Sequence, residues 1–197
     1  RLMEDDIILK MDSSKVREYL NDHLIKVLSK GYSHANLDSL HCQRDSCLAL
    51  IYRGERMSMG ELRLSAEQKS ILEASGLKRS KMNGSEIDSS KLYTFLSTIV
   101  AHQVNQGYPF AMAKYDSVQI IDGKLHAALK VVKGNLITFD TIISEGKLVL
   151  RNTFMRRLLD INNGDRYAQD KIISARSRIS DLQYVQQRTD PFIRFIN

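Results

Sequence analysis

At 197 residues, 43% hydrophobic and 26% charged, the chain has room for one ordinary domain or two to three small ones, and the composition is globular. No apolar run nears the roughly 18–20 residues a membrane helix needs, and RLMEDDIILKMD lacks the charged leader and apolar core of a signal peptide; Arg1 in first place points to a cut chain. The net charge of +6 is dispersed, without the clustered Lys/Arg and interleaved aromatics of a nucleic-acid binder, although it favours acidic partners or anionic surfaces.

In chain order, EDDIILK offers no obvious first strand. The run from Ser14 to Lys30 then places Val16, Leu20, Leu24, Val27 and Leu28 at helical spacing, and Gly31 stops the helix. Tyr32 follows as an apolar anchor, and HCQRDSC reads as a hairpin turn leading into the strand LALIYRG. That spacing can set Cys42 and Cys47 opposite one another, as a disulfide in an oxidising compartment or as two thiols in cytosol. Zinc is disfavoured. His41 points away from Cys42 on a strand, and His34 is far along the chain.

MSMGELRL is an imperfect strand, and SAEQKSILEASG is a short helix with Ser65 as N-cap and Gly76 as stop. LKRSKMNG reads as a loop. Asp88 opens a helix carrying Leu92, Phe95, Leu96, Ile99, Val100 and Val104, which ends at Gly107. MAKYDSVQII and KLHAALKVVKG form a hairpin about Asp122-Gly123, with a bulge expected near Ile121. LITFDTII is read as a strand, LRNTFMRRLLDINNG as a short helix and DRYAQDKIISARSRISDL as a second helix. YVQQRTDPFIRFIN is read as extended chain.

These elements repeat. Gly31, Tyr32 and Ala35 match Gly107, Tyr108 and Ala111, and Gly54 matches Gly134. At a shift of 80, Met59, Leu62, Gly84, Lys91, Leu92 and Ile99 meet Phe139, Ile142, Gly164, Lys171, Ile172 and Ile179. The order, glycine positions and loop lengths agree together, which chance similarity of amphipathic segments does not produce. Boundaries are expected at 1–56 (partial), 57–134 (complete) and 135–197 (truncated before its last strand).

A strand-helix-helix-strand-strand unit whose second helix ends in GYPFA resembles the polypeptide-transport-associated (POTRA) domain. The likeness is carried by Gly107, Tyr108, Pro109, Phe110, Ala111, Gly134 and Phe139, with a fainter echo at Leu182, Tyr184 and Val185. It implies an α+β fold of tandem units, each with two helices on a three-stranded mixed sheet whose last strand lies in the middle. Gly31, Tyr32, Gly107, Tyr108, Pro109, Phe110 and Gly134 are then structural residues. It also implies the periplasmic face of the bacterial outer membrane, as in BamA- and TamA-like proteins, no cofactor, and membrane contact only through a C-terminal β-barrel that this chain does not contain.

In such a unit the strand after Gly-Tyr lies at a sheet edge, and an edge offers unpaired N–H and C=O groups to an extended partner. Met112, Lys114, Tyr115, Asp116, Val118 and Ile120 are the candidate client-binding residues, with Leu37 to Cys42 equivalent in the first unit. The expected partners are unfolded outer-membrane protein clients or accessory assembly proteins. Two other readings are a transporter of two-partner secretion and a βααβ nucleic-acid module. The second needs a GXXG loop between its helices, and SGLKRSKMNGSE spaces its glycines eight apart. No catalytic residue is assigned. His23, His34, His41, His102 and His126 are scattered, and no phosphate loop, nucleophile elbow or metal pair appears.

Overall fold

The computed structural model describes residues 4–9, 13–43, 46–144, 150–182 and 190–196, with side chains from Lys15 onwards. The chain forms two compact units, Arg1–Thr98 with Lys114–Lys130, and Ile99–Ala113 with Val131–Asn197.

The first repeat runs β1 (Glu4–Leu9), α1 (Ser13–Ser29), β2 (Asn36–Gln43) and β3 (Ser46–Tyr52), in the sheet order β1-β3-β2. EDDIIL is therefore a strand after all, pairing antiparallel with β3 from Glu4↔Tyr52 to Leu9↔Cys47. Its sheet is not mixed. One helix separates β1 from β2, and one helix reverses the chain once, so β1 runs antiparallel to the middle strand. Val16 and Leu20 of α1 bury against Cys47, Ala49 and Ile51 of β3, the strand whose alternate residues face inward.

The second repeat has the full set: β4 (Ser58–Arg63), α2 (Ala66–Ala74), α3 (Ser89–Asn105), β5 (Met112–Ile121) and β6 (Lys124–Val132), in the order β4-β6-β5. Two helices now lie between the first and second strands, and β4 runs parallel to β6. Ser65 caps α2 in a capping box with Gln68, as its sequence predicts. Asp88 Oδ1 accepts the Lys91 N–H at 2.7 Å and starts α3. Met59, Leu62, Ile71, Leu72, Phe95, Leu125, Ala127 and Leu129 are buried. The loop LKRSKMNG contains a 3₁₀ turn, Arg79–Lys81.

In the third repeat α4 (Asn152–Leu159) and α5 (Gln169–Ser180) pack through Met155, Leu159, Ile161 and Ala175. Here LITFDTII is not a strand and makes the single bridge Thr138↔Arg166. A strand needs a neighbour, and among the described residues no strand of this repeat lies beside it. Tyr184 and Val185 of the fainter echo lie outside the described residues, while Leu182 follows α5 and donates its N–H to Ile179 O.

The repetition extends to main-chain bonds at two joints. Met57 N–H donates to Gly31 O and Ile137 N–H to Gly107 O, both at 2.8 Å. Ile87 N–H donates to Met57 O and Tyr167 N–H to Ile137 O, both at 3.0 Å. Gly84 to Met59 and Gly164 to Phe139 form a third matched pair, at 2.6 and 2.7 Å. The bonding residues of the entering segments recur at the shift of 80 found in the sequence, and the Gly31 and Gly107 acceptors at 76, so each helix-ending Gly-Tyr turn is also the socket for the next repeat's entering segment.

Candidate functional site

Two edges of the second sheet face different fates. The outer side of β4 is closed by its own chain: Met59 O accepts from Gly84 N–H, Met59 N–H donates to Ser85 O at 2.9 Å, and Leu62 N–H donates to Asn83 Oδ1 at 3.2 Å. β5 occupies the opposite edge. Among the described residues, no backbone group of β5 bonds to main chain outside the sheet. Its ladder is open.

The strand is not straight. Ser117 adopts a left-handed backbone (φ 49), and Asp116 Oδ1 accepts its N–H at 2.9 Å. A short carboxylate that satisfies its neighbour's amide makes this conformation tolerable. The irregularity therefore falls four residues earlier than the bulge expected near Ile121. It divides the edge into Met112–Asp116 and Val118–Ile121. Such kinks are a common means of keeping sheet edges from self-pairing. The tip turns through Asp122 (φ 48) and Gly123 (φ 69), both left-handed as a two-residue hairpin requires.

Beyond the kink the edge is apolar and wet, with Val118 52% and Ile120 56% exposed. Met112 and Lys114 are exposed as well, and Asp116 is half-buried. Tyr115 faces the other way. Its ring stacks on Phe95 of α3 with centroids 6.5 Å apart, and its hydroxyl donates to Leu92 O at 3.3 Å. Burial pushes that hydroxyl's pKa up to about 12. Tyr115 thus anchors β5 to its helix, and only its backbone belongs to the edge. The first-repeat equivalent, β2, is also an edge and is broken between Leu37 and Ser39.

The glycines and aromatics singled out in the sequence sit at the joints. Gly31 (φ 95) and Gly107 (φ 101) are left-handed and crowded. A Cβ on Gly31 would lie 2.1 Å from Ile87 O, and one on Gly107 2.6 Å from Leu136 Cδ1. Tyr32 lies under the Arg56 guanidinium at 5.7 Å, and Tyr108 under Lys133 Nζ at 5.9 Å. Gly134 packs 3.5 Å from Phe110 Cβ, measured from an added Cβ. Pro109 leads from Tyr108 into Phe110.

Sequence reasoning missed the side chains that pin each joint. Arg56 donates to Lys30 O at 3.0 Å and pairs with Glu86 at 2.6 Å and Asp88 at 3.8 Å. At the second joint Asn105 caps α5 across the joint, accepting the Asp170 N–H at 3.0 Å and donating to its carboxylate at 2.7 Å. The absence of Ser, Thr, Asp or Asn at position 168 was the available signal. Cys42 and Cys47 are register partners and form a disulfide across the β2–β3 hairpin. The turn residues between them, Arg44 and Asp45, lie outside the described residues. Among the described residues, no three His, Cys, Asp or Glu side chains converge as metal ligands, and no helix is long and apolar enough to cross a membrane.

No protein-family model and no curated protein matches the sequence. Solved structures do. The third to fifth POTRA domains of BamA from Haemophilus influenzae align over 88% of this chain and 71% of that one, at 18% identity and a TM-score of 0.52. BamA from Haemophilus ducreyi lacking POTRA domains one to three aligns over 62% and 23% (16% identity, TM-score 0.47). The first three POTRA domains of Omp85 from Anabaena align over 82% and 69% (14% identity, TM-score 0.40). At these identities the likeness is one of fold, and the first alignment carries it. The chain has the α+β fold of POTRA domains.

Proposed function

We propose that the chain is a periplasmic protein-binding scaffold of an outer-membrane protein assembly or translocation factor. It engages unfolded β-barrel clients or accessory proteins by adding their extended segments to the open edge of β5. The observation that carries this reading is the contrast within one sheet: β4 is closed by residues 83–85 of its own chain, while β5 is left open with apolar side chains in water. Main-chain pairing gives affinity that depends little on client sequence, which suits a module meeting many clients. The Cys42–Cys47 bond supports an oxidising compartment.

Photo-crosslinking groups placed singly at Met112, Lys114, Asp116, Val118 and Ile120, with Tyr115 as the inward-facing control, test it. An unfolded outer-membrane barrel polypeptide should label these edge positions and spare Tyr115. Labelling spread evenly over the surface contradicts the reading.

A further inference from the structure

At the second joint four aromatic rings gather. Phe139 and Tyr167 lie 5.7 Å apart between centroids, Tyr167 and Phe195 6.1 Å, and Phe110 and Phe195 4.9 Å. Tyr167 is buried, donates its hydroxyl to Gln169 Oε1, and has its pKa raised by burial. Phe110 and Phe195, by contrast, stay 54% and 46% exposed although their rings touch. Phe195 arrives on residues 190–196, which have no regular secondary structure and hold a second anchor, Asp190 to Arg176 at 3.2 Å.

The first joint is an internal control. It makes the same main-chain bonds with His34, Met59 and Ile87 where the second has Phe110, Phe139 and Tyr167. Joining repeats therefore does not require aromatic rings at these three positions. Paired rings prefer tilted or offset contact, and the 52° between Phe110 and Phe195 is of that kind.

We propose that Phe110 and Tyr167, backed by Phe139, form a seat for one aromatic side chain carried on an extended segment. Phe195 fills it in cis, and an aromatic-bearing peptide from another chain displaces it. The favoured occupant copies what the chain itself supplies, an acidic residue for Arg176 five positions before the ring. Self-occupancy lowers apparent affinity by the fraction of seats already filled. Phe195 is 46% exposed and both side chains of the Asp190–Arg176 pair are more than half exposed, so that fraction is reversible. The seat acts through side chains and needs no strand pairing, so it stands apart from the β5 reading.

The chain contains no tryptophan, so Phe195→Trp in the full chain gives a single reporter. The probe is the peptide of residues 190–196, plain and with the Ile193 and Phe195 amides N-methylated to prevent sheet pairing. Emission should be blue-shifted at first and move to the red, saturably, with either peptide. A peptide carrying Ala in place of Phe195 should need roughly two to ten times more, the range expected of an aromatic contact. Phe110→Ala should leave the tryptophan in water from the start; if that variant does not fold by circular dichroism, Phe110→Leu should weaken the blue shift without abolishing folding. An exposed tryptophan with Phe110 intact, or no emission change at saturating peptide, overturns the proposal. So does a signal that varies with protein concentration, which would place a second copy's segment in the seat.

Discussion

Gly31 shows how one missing carbon atom sets a joint. Its left-handed φ of 95 would already strain an L residue, and Ile87 O lies 2.1 Å from where a Cβ would stand. A backbone carbonyl fixed by the next repeat has nowhere to move. Gly84, at φ 75, has nothing within 4 Å of the same added atom. Gly31→Ala should therefore cost about 3 kcal/mol or more in denaturant unfolding, and Gly84→Ala only about 1 kcal/mol, from left-handed strain alone. Equal losses at the two sites would mean that the close approach contributes nothing. Tyr115 offers a pH test. Its folded pKa of about 12 lies above the ordinary 10, so the fold favours the neutral ring. The stability it confers is complete below about pH 10 and is lost as pH rises through about 12. Ultraviolet titration should show one tyrosine ionising near that upper value, and Tyr115→Phe should remove that step alone.

Among the elements, what the sequence disclosed and what it hid have physical causes. Amphipathic helices declared themselves by spacing: Ser14–Lys30 became Ser13–Ser29, and Asp88 caps the helix it was expected to open. The Asp122-Gly123 turn was legible because its residue types tolerate left-handed backbone. LITFDTII failed as a strand because strandedness belongs to a pair, and local pattern does not supply the partner. The antiparallel first sheet was equally hidden, since direction depends on how many helices intervene. The kink at Ser117 was readable in principle from an Asp-Ser step inside a strand, a pattern easily lost among alternating residues. The hairpin of β2 and β3 carries its own prediction. The Cys42–Cys47 bond closes a short loop, so reducing it, or Cys42→Ser with Cys47→Ser, should lower stability by about 2 kcal/mol in paired denaturant titrations. No change would assign the bond no stabilising role.

Across the whole chain, the strongest message is recurrence. Glycines and apolar residues repeat at shifts of 76 and 80, and the main-chain bonds of the joints repeat with them. The candidate site was legible as a segment, because the strand after Gly-Tyr falls at an edge in this topology. Its selectivity was not, since the residues that close β4 come from a loop 20 or so positions away, and only the fold brings them to that strand. The proposed function rests on one inequality, an edge sealed by its own chain on one side and, among the described residues, a bare one on the other. Amide hydrogen exchange measures that inequality directly. In the free chain the β5 amides that point away from β6 should exchange fast while Met59 and Leu62 are protected. Saturation with an unfolded outer-membrane barrel polypeptide should then slow alternate β5 amides at least about tenfold, the signature of strand addition. Amides on β5 that are already protected in the free chain, or that do not slow when such a polypeptide is bound, would contradict the account.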